Sequence, residues 1–220
     1  DYLIRLARVA GQMISDDFRL GMDRELKDDT TPVTKTDMAI NKMVIDHLER
    51  DYPHISVVSE EGSREVAGAE YTVLCDPIDG TIPFSRGTPL STFVISVMKD
   101  QVPVSAVIYD PFMRRMWHAN KGGGAFLGKT PVEVSKHATL RNSHICMIWW
   151  HSSRFNLNTV CGRLLEQGSK TGNPMTLAYF GGLMASGEYD ATIFPGDEGW
   201  ETAAMQLIVE EAGGRVTDIH

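Results

Sequence analysis

The sequence has few cysteines, no long apolar run and no excess of positive charge, and each shortage argues against a class of protein. The three cysteines, Cys75, Cys146 and Cys161, are widely spaced and form no Cys-x-x-Cys pair. This pattern argues against a disulfide framework and a zinc site, and it indicates reduced thiols in a cytoplasmic protein. No apolar run approaches the roughly 20 residues that a membrane-spanning helix needs.

The formal net charge is -8, which argues against a nucleic acid polymer or an anionic membrane as the partner. An anionic substrate would need local positive charge from Lys or Arg side chains, backbone N–H groups or bound cations. The composition, 42% hydrophobic and 23% charged, is that of a globular protein with a sizeable core. The length fits one large domain or two small lobes.

Both ends of the chain lie inside patterns typical of regular structure. The first residues, "DYLIRLARVAGQMI", lack a starting Met and a visible signal peptide, and they read as part of a helix. The last residues, "RVTDIH", read as a strand with nothing after it. We expect the natural protein to continue beyond these ends.

The first part of the chain predicts two helices, a polar loop and several strands. Helical spacing of apolar residues predicts a helix over residues 1 to about 20, followed by the polar loop "MDRELKDDTTPVTKTD". Thr36 or Asp37 is expected to cap a second helix, which Pro53 closes. Two short strands, "ISVVS" and "YTVLCD", end in acids, and an antiparallel meander follows them.

After Ser143 the pattern alternates between strands and helices. The predicted strands are "HICMIWW" and "YDATIF", and the predicted helices are "RFNLNTVCGRLLEQG", "MTLAYFGGLMASG" and "GWETAAMQLIVEEAGG". We therefore predict an N-terminal α+β lobe over residues 1–140, with the antiparallel sheet, and a C-terminal α/β lobe over residues 141–220. The two lobes are expected to share one cleft.

Acidic residues stand where several of these elements begin or end. They are Asp37, Glu60, Glu61, Asp76, Asp79 and Glu201. Carboxylates at such positions are held rigidly and repel one another unless cations lie between them. Oxygen ligands without nearby His or Cys favour Mg²⁺ or Mn²⁺ over zinc.

The stretch "DPIDGT", residues 76–81, combines two of these acids with a stiff and a flexible residue. Pro77 holds Asp76 in an extended conformation, so that Asp76, Asp79 and the Ile78 carbonyl can face one point. An isolated Asp-x-x-Asp is more often a capped turn than a metal site, so the motif alone leaves both readings open.

Two residues after the acids are suited to binding an anion. Gly80 allows close approach of the backbone, and the N–H groups of Gly80 and Thr81 can face an anion at a helix start. Cations beside such a cradle are the arrangement used in metal-assisted hydrolysis of phosphate esters.

Four segments in order resemble the signatures of the inositol monophosphatase family, a group of lithium-sensitive, magnesium-dependent phosphatases. They are "PVTKTD", "SEEG", "DPIDGT" and "GWETAAMQLIVEEAGGRVTD". The third matches the family motif Asp-Pro-[Ile/Leu]-Asp-Gly-Thr at every position. The resemblance extends over the whole chain, and it implies a layered αβαβα sandwich of the inositol monophosphatase and fructose-bisphosphatase type, usually a homodimer.

The resemblance also implies roles for individual residues. The ligands of two Mg²⁺ ions would be Glu60, Asp76, the Ile78 carbonyl, Asp79 and Glu201. Thr81 and Asp37, with Glu60, would activate the attacking water, and the N–H groups of Gly80 and Thr81 would hold the phosphate. Glu61 would lie close to the ligands, and the loop from about Lys27 to Lys35 would cover the site and help to hold a third Mg²⁺; Mn²⁺ is a possible substitute.

Two positions depart from the family pattern. The family usually has Asp after the Trp of the last motif, whereas this chain has Glu201, as the fructose-bisphosphatase branch does. Inositol-specific members place a Glu seven residues before that acid, where this chain has Phe194. Substrate contacts are therefore expected from Asp79, Phe194, Asp197 and Glu198.

The function that the resemblance implies is Mg²⁺-dependent hydrolysis of a small polyol or sugar phosphate, with an inositol phosphate first among the substrates. The alternatives are a 3'(2'),5'-bisphosphate nucleotidase, then a histidinol phosphatase or a fructose-1,6-bisphosphatase. A further alternative, from a different class, is a regulatory homologue that binds metal or phosphate with little turnover.

Overall fold

The structure, a computed structural model, describes residues 1–22, 24–26, 32–150, 153, 155–196 and 198–218. Its helices are α1 (Tyr2–Asp17), α2 (Lys35–Asp51), α3 (Thr81–Ser85), α4 (Asn158–Glu166), α5 (Leu177–Ala185) and α6 (Gly199–Glu211). None of the helices in these ranges is both long and apolar enough to span a bilayer.

The strands form three sheets. They are β1 (Glu25–Leu26), β2 (Pro32–Val33), β3 (Ser56–Ser59), β4 (Tyr71–Asp79), β5 (Thr92–Lys99), β6 (Val102–Asp110), β7 (Arg115–Asn120), β8 (Ala125–Leu127), β9 (Thr130–Pro131), β10 (His144–Met147), β11 (Lys170–Gly172) and β12 (Ala191–Ile193). A seven-stranded sheet has the order β3-β4-β5-β6-β7-β8-β9, a three-stranded sheet has the order β11-β10-β12, and β1 pairs with β2.

The large sheet is antiparallel from β4 to β9, as the predicted meander requires, and β3 joins β4 in parallel. Successive side chains on a strand point to opposite faces. On β5, Phe93 and Ile95 therefore pack toward α1 and α2, while Val94 packs toward α5 and α6. The near-continuous apolar run of this strand reflects burial on both faces.

Three apolar cores join five layers, because the core around α5 and α6 contacts both the large sheet and, through Cys146, the small sheet. The core between α1, α2 and the large sheet includes Ile14 and Ile40, and the core between the large sheet, α5 and α6 includes Trp117 and Met205. A third core lies between the small sheet and α4 and includes Met147. The resulting order, helices, large sheet, helices, small sheet and helix, confirms the predicted αβαβα sandwich. Helices α5 and α6, from the second half of the chain, pack on the large sheet; the division into lobes at residue 140 stays a prediction.

Both outer strands of the large sheet have restricted edges. The outer edge of β3 is met by the chain itself, since Val57 and Arg64 exchange two backbone hydrogen bonds of 2.8 Å. The N–H of Ser59 donates to the hydroxyl of Ser63 at 3.3 Å. At the other side, β9 consists of two exposed residues, one of which is Pro131.

Some sequence predictions differ from the structure. Thr34, rather than Thr36 or Asp37, is the N-cap of α2, and Asp37 is the third helical residue that closes the capping box. Strand β4 continues through Asp79 instead of ending at Asp76. Strand β11 was not expected, and residues 215–218 do not form the predicted strand. The three cysteines are free, as expected.

Candidate active site

The "DPIDGT" motif lies at the carboxyl end of β4, where its ladder with β5 is interrupted. The register shifts between Asp76 and Asp79, because Pro77 has no N–H to donate and the chain bulges there. Asp76 is buried, and its Oδ1 accepts the N–H of Ile78 at 2.9 Å. The bulge is what brings both acids of the motif to one side of the strand end.

Three carboxylates from two elements converge at this point. One oxygen from each of Asp76, Asp79 and Glu201 lies within 4.8 Å of the others. The two aspartates come from β4, and Glu201 comes from the first turn of α6, which packs across the same sheet. Carboxylates that are far apart in the sequence therefore lie together at this point.

The electrostatics of this cluster favour a bound cation. Burial first, and then the charges of Glu60, Asp79 and Glu201, raise the pKa of Asp76 well above its usual value. Burial, followed by the charges of Asp79 and Glu60, raises the pKa of Glu201 to about 8. Close carboxylates that are costly to ionise become stable anions when a cation lies between them. The donor set is all oxygen, so it fits a hard divalent cation.

Asp37 lies beside this cluster at the start of α2. Its Oδ2 accepts the N–H of Thr34 at 2.9 Å and also the hydroxyl of Thr34. Its Oδ1 lies 3.2 Å from the hydroxyl of Thr81. Burial is the largest cause that raises the pKa of Asp37 to about 6, and the charges of Glu61 and Glu60 add to it. Asp37 therefore has one oxygen fixed by the scaffold and one directed to Thr81.

Thr81 and Gly80 connect the acids to α3. The Thr81 hydroxyl lies within reach of two acceptors, Asp37 Oδ1 and the carbonyl of Ile78, the latter at 2.9 Å. Gly80 has φ of 86°, and a Cβ there would meet the carbonyl oxygen of Leu90 at 2.9 Å and Thr176 Cβ at 3.0 Å. Only glycine fits this position, both by conformation and by space.

Asp79 also caps a helix, a role that the sequence did not reveal. Its Oδ1 accepts the N–H of Leu177 at 2.8 Å, and its Oδ2 accepts the N–H groups of Ala178 and Tyr179 at 3.0 and 3.3 Å. The hydroxyls of Thr92 and Thr176 donate to Oδ2 as well. Asp79 thus satisfies the first N–H groups of α5.

The site opens into a cavity of about 310 Å³, and the described lining combines acidic and apolar residues. The acids are Glu60, Asp76, Asp79 and Glu201, with Gly80 and Thr81 following the two aspartates in the chain. The apolar lining residues are Pro32, Ile82, Ile148, Trp150, Met175, Leu177 and Phe194. Of these, Phe194 had been expected to contact the substrate, and Pro32 belongs to the loop that had been expected to cover the site.

The remaining predicted residues differ in their position relative to the cavity. Glu60 lines the cavity, and Glu61 is close enough to Asp37 to raise its pKa. Glu198 is exposed, precedes α6 and does not line the cavity, although its charge adds to the raised pKa of Glu201. Asp197 and residues 27–31 of the predicted covering loop lie outside the described residues, while Pro32 of that loop lines the cavity.

Two site residues missed by the sequence reasoning are Thr92 and Thr176. Thr92 begins β5 opposite Asp79 in the ladder, and only the strand register reveals this pairing. Thr176 precedes the apolar run of α5, and a Thr before such a run is a typical N-cap signal. The signal could have been found at Thr176, but its partner 97 positions away could not.

Comparisons with known proteins identify relatives of this chain. The chain is 33% identical over 207 residues to a histidinol-phosphatase of Mycobacterium tuberculosis, covering 89% of this chain and 77% of the relative. It is 29% identical over 232 residues to inositol monophosphatase 1 of Rattus norvegicus, covering 100% of this chain and 83% of the relative.

Solved structures support the same relationship. An IMPase of Thermotoga maritima superimposes with a TM-score of 0.91 at 25% identity, covering 99% of this chain and 84% of the other. The sequence model of the inositol monophosphatase family matches residues 1–220. The phosphatases among these relatives support a phosphatase function, and the match over the full length shows that the chain belongs to the inositol monophosphatase family.

Proposed function

We propose that this protein is a phosphomonoester hydrolase for a small phosphorylated metabolite, dependent on two or three Mg²⁺ ions, with Mn²⁺ as a possible substitute. The observation that carries the proposal is the convergence of Asp76, Asp79 and Glu201 within 4.8 Å. The pair formed by Thr81 and Asp37 stands next to them. Cation ligands beside a hydroxyl–carboxylate pair are the groups that metal-assisted hydrolysis requires.

The proposed ligands are Glu60, Asp76, the Ile78 carbonyl, Asp79 and Glu201, as the family resemblance implies. Bound cations would offset the charge of the phosphate and lower the pKa of the attacking water. Glu201 replaces the Asp that is usual in the family, and its carboxylate oxygen nevertheless lies with those of Asp76 and Asp79. This placement supports Glu201 as a ligand.

Asp37 is the proposed proton acceptor. A water that donates to Thr81 Oγ1 can lose its proton toward Asp37 Oδ1, since the Thr81 hydroxyl lies 3.2 Å from that atom. A carboxylate with a pKa near 6 is deprotonated at neutral pH and still basic enough to assist. The net reaction consumes one water and yields the free alcohol and inorganic phosphate. The backbone N–H groups of Gly80 and Thr81 are the proposed phosphate contacts.

The candidate functions differ in the phosphate ester that is hydrolysed. The sequence favoured an inositol phosphate, and that substrate stays a prediction because Phe194 stands where inositol-specific members have Glu. Histidinol phosphate is a second candidate, supported by the 33% identity to the histidinol-phosphatase. Bisphosphate nucleotides and fructose 1,6-bisphosphate are further alternatives. Assembly as a homodimer likewise stays a prediction.

Release of inorganic phosphate from a panel of these esters, with Mg²⁺ and with EDTA, tests the proposal. We expect turnover with Mg²⁺, no turnover with EDTA, and inhibition by millimolar Li⁺. Thr81→Ala should retain the fold and lose most of the activity, because it removes the hydroxyl between water and Asp37. If Mg²⁺ binds and none of the esters is hydrolysed, the regulatory alternative is correct instead.

A further inference from the structure

The cavity has apolar lining residues that hydrolysis of the phosphate does not require. The acids, Gly80 and Thr81 line the part where the phosphate would bind. Among the described residues, the apolar part of the lining comes from several separate segments of the chain. It includes Pro32 in β2, Ile82 in α3, Ile148 and Trp150 after β10, Met175 and Leu177 around the start of α5, and Phe194 after β12.

These side chains are held in place by the surrounding fold. Ile148 is buried, and its N–H donates to the carbonyl of Ile193, which fixes the segment after β10 beside the segment after β12. Phe194 packs against the core between the large sheet and α5. Met175 has φ of 61° and precedes Thr176, whose hydroxyl donates to Asp79. These apolar residues are therefore held by the same framework as the acids.

Trp150 adds an exposed aromatic residue to the apolar lining. Its side chain remains 45% exposed although it lines the cavity. A partly exposed indole beside buried apolar groups offers a flat face to a ligand ring. A cavity of about 310 Å³ is at the small end of the range for ligand pockets, so it suits a small ring and a phosphate.

The alcohol part of the ester would contact these apolar residues. The hydroxyl groups of a polyol would leave water for apolar side chains and lose hydrogen bonds there. A flat ring would instead bury apolar surface against Trp150, Phe194 and Met175. The chemistry of the cavity thus separates two classes of alcohol.

We propose that the cavity binds a phosphomonoester whose alcohol carries a flat, uncharged ring, in preference to a polyol phosphate. The proposal rests on the proposed function for the position of the phosphate. Phe194 and Trp150 are the residues that determine this preference.

The first experiment compares 2-phenylethyl phosphate with myo-inositol 1-phosphate in the presence of Mg²⁺. We expect kcat/KM to be at least about 10-fold higher for the phenyl ester, because a hydrophobic pocket typically discriminates by about that factor or more for each methylene group that it buries. A ratio of one or below overturns the inference. If neither ester nor p-nitrophenyl phosphate is hydrolysed, the proposed function fails.

Two variants test the named residues. Phe194→Glu should lower the ratio at least about 10-fold, because a carboxylate accepts hydrogen bonds from hydroxyls and disfavours a ring. Trp150→Ala should raise KM for the phenyl ester with little change for the inositol ester, and its exposed position makes the substitution compatible with folding. Met113→Ala is the matched control, since Met113 is exposed in the β6–β7 turn and does not line the cavity. An unchanged ratio in both cavity variants overturns the assignment.

A binding measurement with phosphonates, which are not hydrolysed, tests the proposed preference independently of catalytic activity. The probe is 2-phenylethylphosphonate with Mg²⁺, compared with methylphosphonate, and the readout is tryptophan fluorescence. We expect at least about 10-fold tighter binding of the phenyl compound, with an emission change that Trp150→Phe reduces. Equal affinities for the two phosphonates overturn the inference, whatever the result of the activity assay.

Discussion

The Asp79 carboxylate accepts hydrogen bonds from five groups, three of them N–H groups of α5, while one of its oxygens lies within 4.8 Å of Asp76 and Glu201. Burial raises the pKa of Asp79, and these hydrogen bonds act in the opposite direction. A substitution here therefore changes the scaffold and the proposed metal site together. Loss of activity in an Asp79 variant would not by itself identify a ligand.

Asp79→Ala should lower the free energy of unfolding by about 2–3 kcal/mol, because it removes a helix cap and charge-assisted hydrogen bonds. The measurement is urea denaturation in EDTA, so that metal binding does not contribute. Glu201→Ala is the comparison: it also removes an acid of the cluster but no helix cap, and because it relieves repulsion among the buried carboxylates it should not lower the free energy of unfolding at neutral pH. Equal losses in the two variants would contradict the capping role.

Glu201→Gln isolates the ligand role. The change keeps the size of the side chain and removes one negative charge from the cluster, so affinity for Mg²⁺ should fall. Activity should fall on the order of 10²-fold, as when other groups that stabilise transition-state charge are removed. Titration with Mg²⁺ by calorimetry and assay of phosphate release provide the measurements.

Glu133→Gln is the surface control for this substitution, since Glu133 pairs with Lys136 on the exposed surface. It should leave both Mg²⁺ affinity and activity unchanged. Wild-type Mg²⁺ affinity in Glu201→Gln would exclude Glu201 as a ligand.

At this scale the sequence indicates the positions of the acids more directly than those of their neighbours. Asp37, Asp79 and Glu201 lie at or near element ends, and Asp76 lies three residues before the end of β4. The hydroxyl of Thr92 meets Asp79 only because β5 returns antiparallel beside the bulged end of β4. Such contacts depend on register, which a single sequence does not specify.

At the scale of elements, the glycines of α5 set how closely this helix approaches its neighbours. A Cβ on Gly182 would lie 2.5 Å from Cδ2 of Trp117, and one on Gly181 would lie 2.3 Å from Cγ of Met205. Trp117 and Met205 are both buried in the core between the large sheet and α5. The two glycines therefore allow α5 to pack tightly against these side chains.

Gly182→Ala should therefore destabilise the protein by about 1–3 kcal/mol, the usual cost of overpacking a core. Gly162→Ala in α4 is the matched control, because a Cβ there meets nothing within 4 Å. The control should stabilise by about 0.5–1 kcal/mol, since alanine loses less backbone entropy than glycine in a helix. Thermal and urea denaturation measure both changes, and effects of the same sign would contradict this account.

Long periodic segments were predicted better than short ones. Helices α1, α2 and α6 and the meander from β5 to β8 follow clear apolar periods. Strand β11 has only three residues, "KTG", and its pairing with β10 rather than its composition makes it a strand. The expected strand at residues 215–218 does not form, and Val216 packs instead against the core of α5 and α6.

At the scale of the whole molecule, the cluster of buried acids makes stability depend on pH and on metal. In the folded protein the pKa of Glu201 is about 8 and that of Asp37 is about 6, both above their usual values of 4.5 and 3.8. Between about pH 4 and pH 8 the folded protein consequently retains protons that the unfolded chain releases. The free energy of unfolding then decreases as pH rises through this window.

The metal-free protein should therefore be less stable at pH 8 than at pH 5.5. Saturating Mg²⁺ should stabilise it more at pH 8 than at pH 5.5, because the ligands must be ionised to bind. Urea denaturation at both pH values, with EDTA and with Mg²⁺, measures the four free energies. The Glu201→Gln variant should show a weaker pH dependence in EDTA. Stability that rises between pH 5.5 and pH 8 in EDTA would contradict the raised pKa values.

The five-layer arrangement came from the resemblance of four motifs and not from element prediction. The strand and helix patterns indicated helices followed by a meander and then alternation. They did not specify that α5 and α6, from the second half, would cover a sheet from the first half. Packing across such a sequence distance depends on which apolar faces fit together, and many pairings satisfy the same pattern.

The restricted edges of the large sheet bear on how copies of this protein can associate. An open strand edge can pair with a strand of another molecule and so begin aggregation. Here Arg64 and Ser63 occupy hydrogen-bonding groups on the outer edge of β3, and Pro131 limits pairing at β9. A dimer of this chain would accordingly meet through side chains rather than by extending the sheet, and the sheet would stay protected at high protein concentration.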